Sequence, residues 1–288
     1  MIYADKSAGI IVAGATGRQG AFHIALMNEY AKTVGGAGVV AGVTPGKGGQ
    51  VASGVPVYNS IREAMADIDA EVSVIFVPAA AAGDSIMESA NAGLSLAVTI
   101  TEHIPVHDTM NAIAFAKLHD CAVIGPNGPG LLSPGEIKLG IMPSHLFSRG
   151  NIGVISRSGT LTYEIVDELT KAGLGQSTVV GIGGDPVVGQ TFSDVLRRFE
   201  EDQQTKAVVL IGEVGGALEE EGARSTDLPI AAYIAGISAP PEKRMGHAGA
   251  IIEGGEGDAR SKIERLRKME VPVASRPSEI PGIIKKIL

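Results

Sequence analysis

Of the 6 histidines in the chain, His247 alone sits among small residues, in Gly246-His247-Ala248-Gly249-Ala250 directly after Lys243-Arg244-Met245. Nothing in those neighbours crowds the ring, so a bulky group can reach it. An imidazole with an ordinary pKa of about 6.5 is largely neutral at pH 7 and keeps a lone pair that could take a phosphoryl group. A merely solvated loop histidine is the alternative that the pentapeptide leaves open. The remaining histidines, His23, His103, His107, His119 and His145, show neither H-E-x-x-H nor any cysteine spacing, so no protein-held metal is expected.

Other loops carry anion-binding chemistry. Gly14-Ala15-Thr16-Gly17-Arg18-Gln19-Gly20 lies between an apolar run and a helical stretch, where backbone N–H groups and a helix N-terminus stabilise a phosphate. A dinucleotide site normally adds an Asp or Glu about 20 residues further on, for the ribose 2′-hydroxyl. Here Thr44-Pro45-Gly46-Lys47-Gly48-Gly49 occupies that neighbourhood. A cation in place of a carboxylate favours a ligand with an extra phosphate, and NADP and coenzyme A both qualify; a glycine turn with a solvated lysine is the alternative. Because Gly48 follows Lys47, the pattern G-x-x-x-x-G-K-[ST] is met neither there nor elsewhere. A nucleotide that phosphorylates His247 is therefore expected on another chain.

Ser158-Gly159-Thr160 opens a helical stretch after an apolar run, and two readings stand level: an anion site on free N–H groups, or an ordinary N-cap. The surrounding S-R-S-G-T does not match the G-x-S-x-G of a hydrolase elbow. Glu213 could accept the second ring N–H of His247 and fix its tautomer, although a lone carboxylate is more often a surface charge. Asp185 is ambiguous in the same way. The acidic run Glu219-Glu220-Glu221 and the basic stretch 265–268 read as solvated helix faces.

These loops need elements to hold them, and the apolar periodicity supplies two series. The first comprises Ile10–Ala13, Val39–Val43, Val72–Val77, Leu96–Ile100 and Ala122–Ile124. The second comprises Ile152–Ile155, Thr178–Ile182, Ala207–Ile211, Ile230–Ile234 and Val271–Ala274, with helical stretches at 160–172, 191–200, 258–269 and 278–287. Short apolar runs alternating with amphipathic stretches predict βαβ units and parallel sheets, hence two doubly wound domains. Ligands of such sheets bind beyond the carboxyl ends of the strands, where all the loops above fall. Between the series, from Pro126 to Gly150, a stretch rich in Pro and Gly reads as a connection. A length of 288 residues, 44% hydrophobic, suffices for two such cores. The net charge of -8 argues against nucleic acid, and no run approaches the ~18 apolar residues of a membrane span. The single Cys121, inside an apolar stretch, excludes a disulfide framework and fits a cytoplasmic location.

In order, GATGRQGAFH (14–23), GVTPGKGG (42–49), ITEHIP (100–105), IGPNGPG (124–130), ISRSGTLTYE (155–164), GIGGDP (181–186), IGEVGG (211–216) and RMGHAGAI (244–251) resemble the α subunits of succinyl-CoA synthetase, or succinate–CoA ligase. The resemblance covers essentially the whole chain. It implies an α/β fold with a Rossmann-like CoA-binding domain over 1–127, a connection over 128–150, and a flavodoxin-like ligase domain over 151–288 that carries a phosphohistidine. It also implies a β subunit whose ATP-grasp domain supplies the site for ATP or GTP with Mg2+ and most of the carboxylate pocket.

By the same resemblance His247 is the phosphohistidine and Glu213 orients it. Thr16, Gly17, Arg18 and Gln19 would contact CoA together with Lys47 and the Ile100-Thr101-Glu102 turn. Ser158, Gly159 and Thr160 would hold phosphate, and Tyr163 matches a position at the acyl-substrate site. Two departures stand out: Gly128 occupies the place of a cysteine found in many relatives, and a stretch from Val34 to Val40 lengthens the approach to the Lys47 loop.

The implied reaction converts succinate, CoA and a nucleoside triphosphate to succinyl-CoA, the diphosphate and phosphate, reversibly, through succinyl phosphate and the phosphohistidine. Malate–CoA ligases, citrate-cleaving relatives and acetate-type ADP-forming synthetases share the histidine and the CoA loop, and SRSGTLTYE with Tyr163 favours succinate among them. The rival of another class is an NADP-binding redox subunit or a CoA-sensing module in which His247 is incidental.

Overall fold

The structure, a computed structural model, describes residues 2–238, 247, 249–250 and 257–288. Of the motif at 244–251, residues 244–246, 248 and 251 lie outside the described residues.

Two seven-stranded sheets organise the chain. The first holds β1 (Ile10–Ala13), β2 (Val39–Val43), β3 (Val51–Ala52), β4 (Val55–Tyr58), β5 (Val72–Ile75), β6 (Leu96–Thr99) and β7 (Ala122–Ile124), in the order β3-β4-β2-β1-β5-β6-β7. Apart from β3, which runs antiparallel to β4, neighbouring strands are parallel. Numbered along the chain without β3, they stand 3-2-1-4-5-6, the Rossmann order.

The second sheet holds β8 (Gly130–Ser133), β9 (Ile137–Gly140), β10 (Arg149–Ser156), β11 (Gln176–Gly181), β12 (Ala207–Gly212), β13 (Ile230–Ile234) and β14 (Val273–Ala274), in the order β14-β13-β12-β10-β11-β8-β9. Its parallel strands β10 to β14 stand 2-1-3-4-5, the flavodoxin-like order.

Parallel strands covered by helices on both faces should be apolar without alternation, and β1, β5, β6, β11 and β12 are buried along their whole length. The helices are α1 (Arg18–Val34), α2 (Ile61–Asp67), α3 (Ala79–Asn91), α4 (Val106–Leu118), α5 (Gly159–Lys171), α6 (Phe192–Glu201), α7 (Leu218–Ala223), α8 (Ala259–Lys268) and α9 (Ile280–Ile287). The expected helical stretches of the second half coincide with α5, α6, α8 and α9 to within two residues at either end. Local chemistry sets their starts: Thr191 and Asp194 close a capping box on α6, and the Asp258 side chain accepts from Arg260 N and Ser261 N at the head of α8.

Residues 128–150, read from sequence as a connection, contain the β8–β9 hairpin, which pairs antiparallel to β11 as the edge of the second sheet. Its strands are four residues long, and glycine opens β8 and closes β9, which disguised them as loop. Gly130 has φ +92°, and a Cβ there would lie 2.0 Å from the Leu139 carbonyl oxygen, so no other residue fits.

The hairpin also receives α1 from the first sheet. Tyr30 Oη donates to Ser133 O at 3.3 Å and accepts from Gly135 N at 2.8 Å, while Gly140 N donates to Met27 Sδ at 3.5 Å. One apolar cluster accordingly runs from Val12 and Ile24 through Leu131 and Leu139 to Ile155 and Val180, joining both sheets. Cys121 is buried in a separate cluster under α4, and burial pushes its thiol up to about 11.

Candidate functional site

Each sheet has a switch point where the chain reverses its winding direction, between β1 and β5 in the first and between β10 and β12 in the second. The loops after those strands face one another across a cleft of about 660 Å3. From the first domain come Gln19 at the start of α1, the turn 76–79 after β5, and Ile100, Thr101 and Glu102 after β6. From the stretch between β7 and β8 come Asn127 to Pro129, and from the second sheet's side Ile141, Ser158, Gly159, Thr160, Tyr163 and His247. Hydrogen bonds tie this floor together, Thr101 Oγ1 donating to Val77 O at 2.7 Å and Asn127 N to Thr101 O at 3.0 Å.

The glycine loop is built for close approach of backbone. Gly14 has φ +82°, and a Cβ on Gly20 would lie 2.2 Å from Gly14 O, so the first turn of α1 packs directly on the loop. Of the loop's expected contacts only Gln19 lines the cleft; Thr16, Gly17 and Arg18 are not among its lining residues. Thr16 joins the neighbouring loop through Thr44, its N and Oγ1 both 3.3 Å from Thr44 Oγ1. Lys47 sits on that neighbouring loop, exposed, in a turn clamped by Asn59 Oδ1, which accepts from Gly46 N and Gly48 N at 3.0 Å each. The Val34 to Val40 stretch comprises the left-handed cap Gly35 of α1 and the turn into β2.

At the head of α5 the Ser158 side chain accepts from Leu161 N at 3.4 Å, and Ser158 N donates to Ser156 Oγ at 3.1 Å. The N-cap reading holds, since the Ser158 side chain caps Leu161 N, and Gly159 and Thr160 of the same first turn line the cleft. Tyr163, one turn further along, lines the same wall, and burial raises its phenol above the ordinary value.

His247 closes the constellation. Its Nδ1 lies 2.8 Å from Oε2 of Glu213, which follows β12. That hydrogen bond raises the imidazole pKa above 6.5; burial of the ring and the Arg157 charge oppose it, and the Glu213 and Asp185 charges support it. Asp185 is buried and accepts from Asn127 Nδ2 at 2.8 Å, so it supports the loop beneath the ring. Gly128 also belongs to the cleft: a Cβ there would meet Gly181 O at 2.6 Å, so the backbone has closed over this position.

The structure thus gathers Gln19, Ile100, Thr101, Glu102, Ser158, Gly159, Thr160, Tyr163 and His247 in one cleft, with Glu213 behind the histidine. One expectation is overturned. Glu219 and Glu220 are 0% and 1% exposed rather than solvated, because α7 turns them inward onto cations from α8 and from the turn after β10. Glu221 and the basic residues 265, 267 and 268 do face solvent. Phe76 and Arg157 escaped the reading of the sequence; Arg157 stands within the Ser156–Thr160 motif, yet nothing in a single chain marks it as buried. Among the described residues, no group of three or more His, Cys, Asp or Glu side chains could hold a metal ion, and no helix is long and apolar enough to cross a membrane.

Residues 5–103 match the CoA binding domain family and residues 155–271 the CoA-ligase family. The chain is 53% identical over 290 residues to succinate–CoA ligase [ADP-forming] subunit alpha 2 of Archaeoglobus fulgidus, covering 100% of this chain and 99% of that one. It is 55% identical over 288 residues to the corresponding subunit alpha of Methanothermobacter thermautotrophicus, covering 99% and 96%. Among solved structures it resembles ATP citrate lyase from Methanothrix soehngenii in complex with citrate and coenzyme A, with a TM-score of 0.88 at 21% identity. That likeness is one of fold: all of this chain superposes on 50% of the longer lyase chain.

Proposed function

Since the chain belongs to the family of succinate–CoA ligase α subunits, we propose that it works with a β subunit to make succinyl-CoA reversibly, carrying phosphate on Nε2 of His247. Membership removes the redox and CoA-sensing alternatives that the residues had left open. The observation that carries the reading of the site is the hydrogen bond from Nδ1 of His247 to Glu213 at the mouth of a cleft shared by both domains. With Nδ1 held as N–H by a carboxylate, Nε2 is the nitrogen with a lone pair for the cleft.

In the synthetic direction Nε2 attacks the terminal phosphorus of the nucleotide, the bridging P–O bond breaks, and the diphosphate leaves. Glu213 balances the positive charge that builds on the ring. A succinate carboxylate oxygen then attacks that phosphorus and the P–N bond breaks, releasing neutral His247 and succinyl phosphate. The CoA sulfur, after losing its proton, attacks the acyl carbon; the C–O bond breaks and inorganic phosphate departs.

The chain's own contribution is positional. The N–H groups at the head of α5 receive phosphate oxygens, Gln19 and the 100–102 turn border the CoA arm, Thr16 to Arg18 and Lys47 meet the CoA phosphates, and Tyr163 meets the acyl group. The reading of CoA is supported by Gly128 and Gly159 and the N-terminus of α5 in the cleft, with Lys47 exposed on the loop after β2. The ATP-grasp nucleotide site, its Mg2+ and most of the carboxylate pocket are assigned to the β subunit, and the complex to the cytoplasm.

Incubating the two-subunit enzyme with γ-labelled ATP tests the reading. Acid-labile, base-stable label on this chain, lost in His247→Asn together with net synthesis, is expected. Unlabelled wild-type chain, or near-normal turnover by His247→Asn, overturns it.

A further inference from the structure

Behind His247 lies a chain of charges that runs away from the cleft through the protein. Glu213 Oε1, the oxygen not engaged by the histidine, is 3.4 Å from Arg157 Nη2. Arg157 Nη1 is 3.6 Å from Glu219 Oε1, and the other oxygen of Glu219 contacts Lys262 Nζ. Lys262 Nζ is 3.9 Å from Glu220 Oε2, and Arg265 Nη1 reaches Glu220 Oε1 at 3.6 Å from the surface.

The side chains of Arg157, Glu219 and Lys262 are 3%, 0% and 0% exposed. Signs alternate along the whole series, so its carboxylates and cations cancel. Backbone groups join it: Gly215 O accepts from Arg157 Nη1 at 3.3 Å and from Lys262 Nζ at 2.8 Å, and Glu213 N donates to Glu219 Oε1 at 3.1 Å, while Oε1 of Glu213 meets Arg157 as an ion pair without a hydrogen bond.

Such burial is poor value for stability alone, since apolar residues of like volume serve as well or better than a buried ion pair. What this arrangement does provide is direction. A free glutamate has two equivalent oxygens and rotates between them, whereas here Arg157 occupies one and His247 the other. Glycine makes the approach possible, because a Cβ on Gly249 would lie 2.5 Å from Arg157 Nη2 and one on Gly212 would lie 2.4 Å from Glu219 Cγ.

We propose that Arg157 and Glu219 are positioning residues for His247: Arg157 clamps Oε1 of Glu213 so that Oε2 is presented to Nδ1, and Glu219, anchored by Lys262, holds Arg157 in that pose. The proposal rests on the phosphohistidine reading of His247. In its terms the clamp keeps Nδ1 a donor throughout the cycle and reserves Nε2 for phosphorus.

The test is Arg157→Lys in the full chain, which keeps the charge but loses the fork that spans two carboxylates. Three measurements follow: kcat and KM for CoA in the two-subunit enzyme, and the titration midpoint of His247 by NMR of histidine-labelled chain, assigned with His247→Asn. The variant is expected to lose kcat on the order of tenfold to a hundredfold with KM for CoA unchanged, the cost of a misplaced reactive group. The midpoint should fall toward the ordinary value, because the weakened Glu213 hydrogen bond is what holds it up. The other groups facing the ring, Asp185 and, across a recess of about 120 Å3, Glu102 and His103, are common to both chains. Glu219→Gln, which keeps the shape and removes the anchor's charge, should shift both readouts the same way.

A folded Arg157→Lys with wild-type kcat and an unmoved midpoint overturns the proposal. Failure of both variants to fold also counts against it, since the cluster would then belong to the scaffold. The titration needs no turnover, so absence of label from wild-type His247 would sink the phosphohistidine reading while the midpoints still decide the clamp.

Discussion

The imidazole of His247 lies against Gly184 so closely that a Cβ at 184 would stand 2.3 Å from Cγ and 2.4 Å from Nδ1 of the ring. The ring is therefore located from one side by the absence of a side chain and from the other by Glu213. Gly184→Ala is expected to push the ring off its carboxylate, lowering kcat on the order of a hundredfold. The strain of overpacking should also cost about 1–3 kcal/mol of stability. Steady-state kinetics beside a denaturant melt check it; an alanine variant with normal kcat would show that the ring moves freely.

Glu213→Gln separates the two effects of the carboxylate. Nε2 attacks only as neutral imidazole, and Glu213 raises the pKa, so the acid limb of the wild-type rate profile should lie above the ordinary histidine value of about 6.5. In the variant that limb moves down toward 6.5 while the plateau drops on the order of a hundredfold.

The same hydrogen bond links stability to pH. With a folded pKa above the unfolded one, its contribution is fully present below about 6.5 and is lost as pH rises through the raised folded value. Wild type should lose stability across that window by this contribution, and Glu213→Gln should not; denaturant midpoints at a series of pH values give the comparison.

Lys47 offers a ligand-side test. If its ammonium meets the extra phosphate of CoA, Lys47→Ala raises KM for CoA about tenfold, close to 1.4 kcal/mol, and leaves KM for dephospho-CoA nearly unchanged. Equal losses for both ligands would assign the lysine to the loop instead.

Tyr163→Phe removes a single hydroxyl from the cleft wall. The expected result is a rise of roughly fivefold in KM for succinate, about 1 kcal/mol, with KM for CoA unaltered. A rise in the CoA term alone would place the acyl end of the cleft elsewhere.

Much of the fold was legible because parallel strands announce themselves: Ile10–Ala13, Val39–Val43, Ala122–Ile124 and Ile230–Ile234 are apolar from end to end, and their limits in the structure are those read from sequence. What escaped had weak local signals. β4 contains Pro56, which demotes a run to loop, and the β8–β9 hairpin is punctuated by glycine. The site was legible where a loop follows a strand, as at Ser158, Glu213 and Gly14. It was illegible where burial decides meaning. Glu219 and Glu220 read as a solvated helix face until α7, α8 and the turn after β10 bring opposite charges together.

Helix α1 begins at the glycine loop and, 17 residues later, ends beside the Tyr30 contacts with the β8–β9 hairpin of the other sheet. At 1.5 Å per residue it is a strut roughly 25 Å long, with one end at the glycine loop and its flank bolted to the sheet whose loops hold His247. The gap between the two walls is thus a built dimension, like the opening of a fixed gauge.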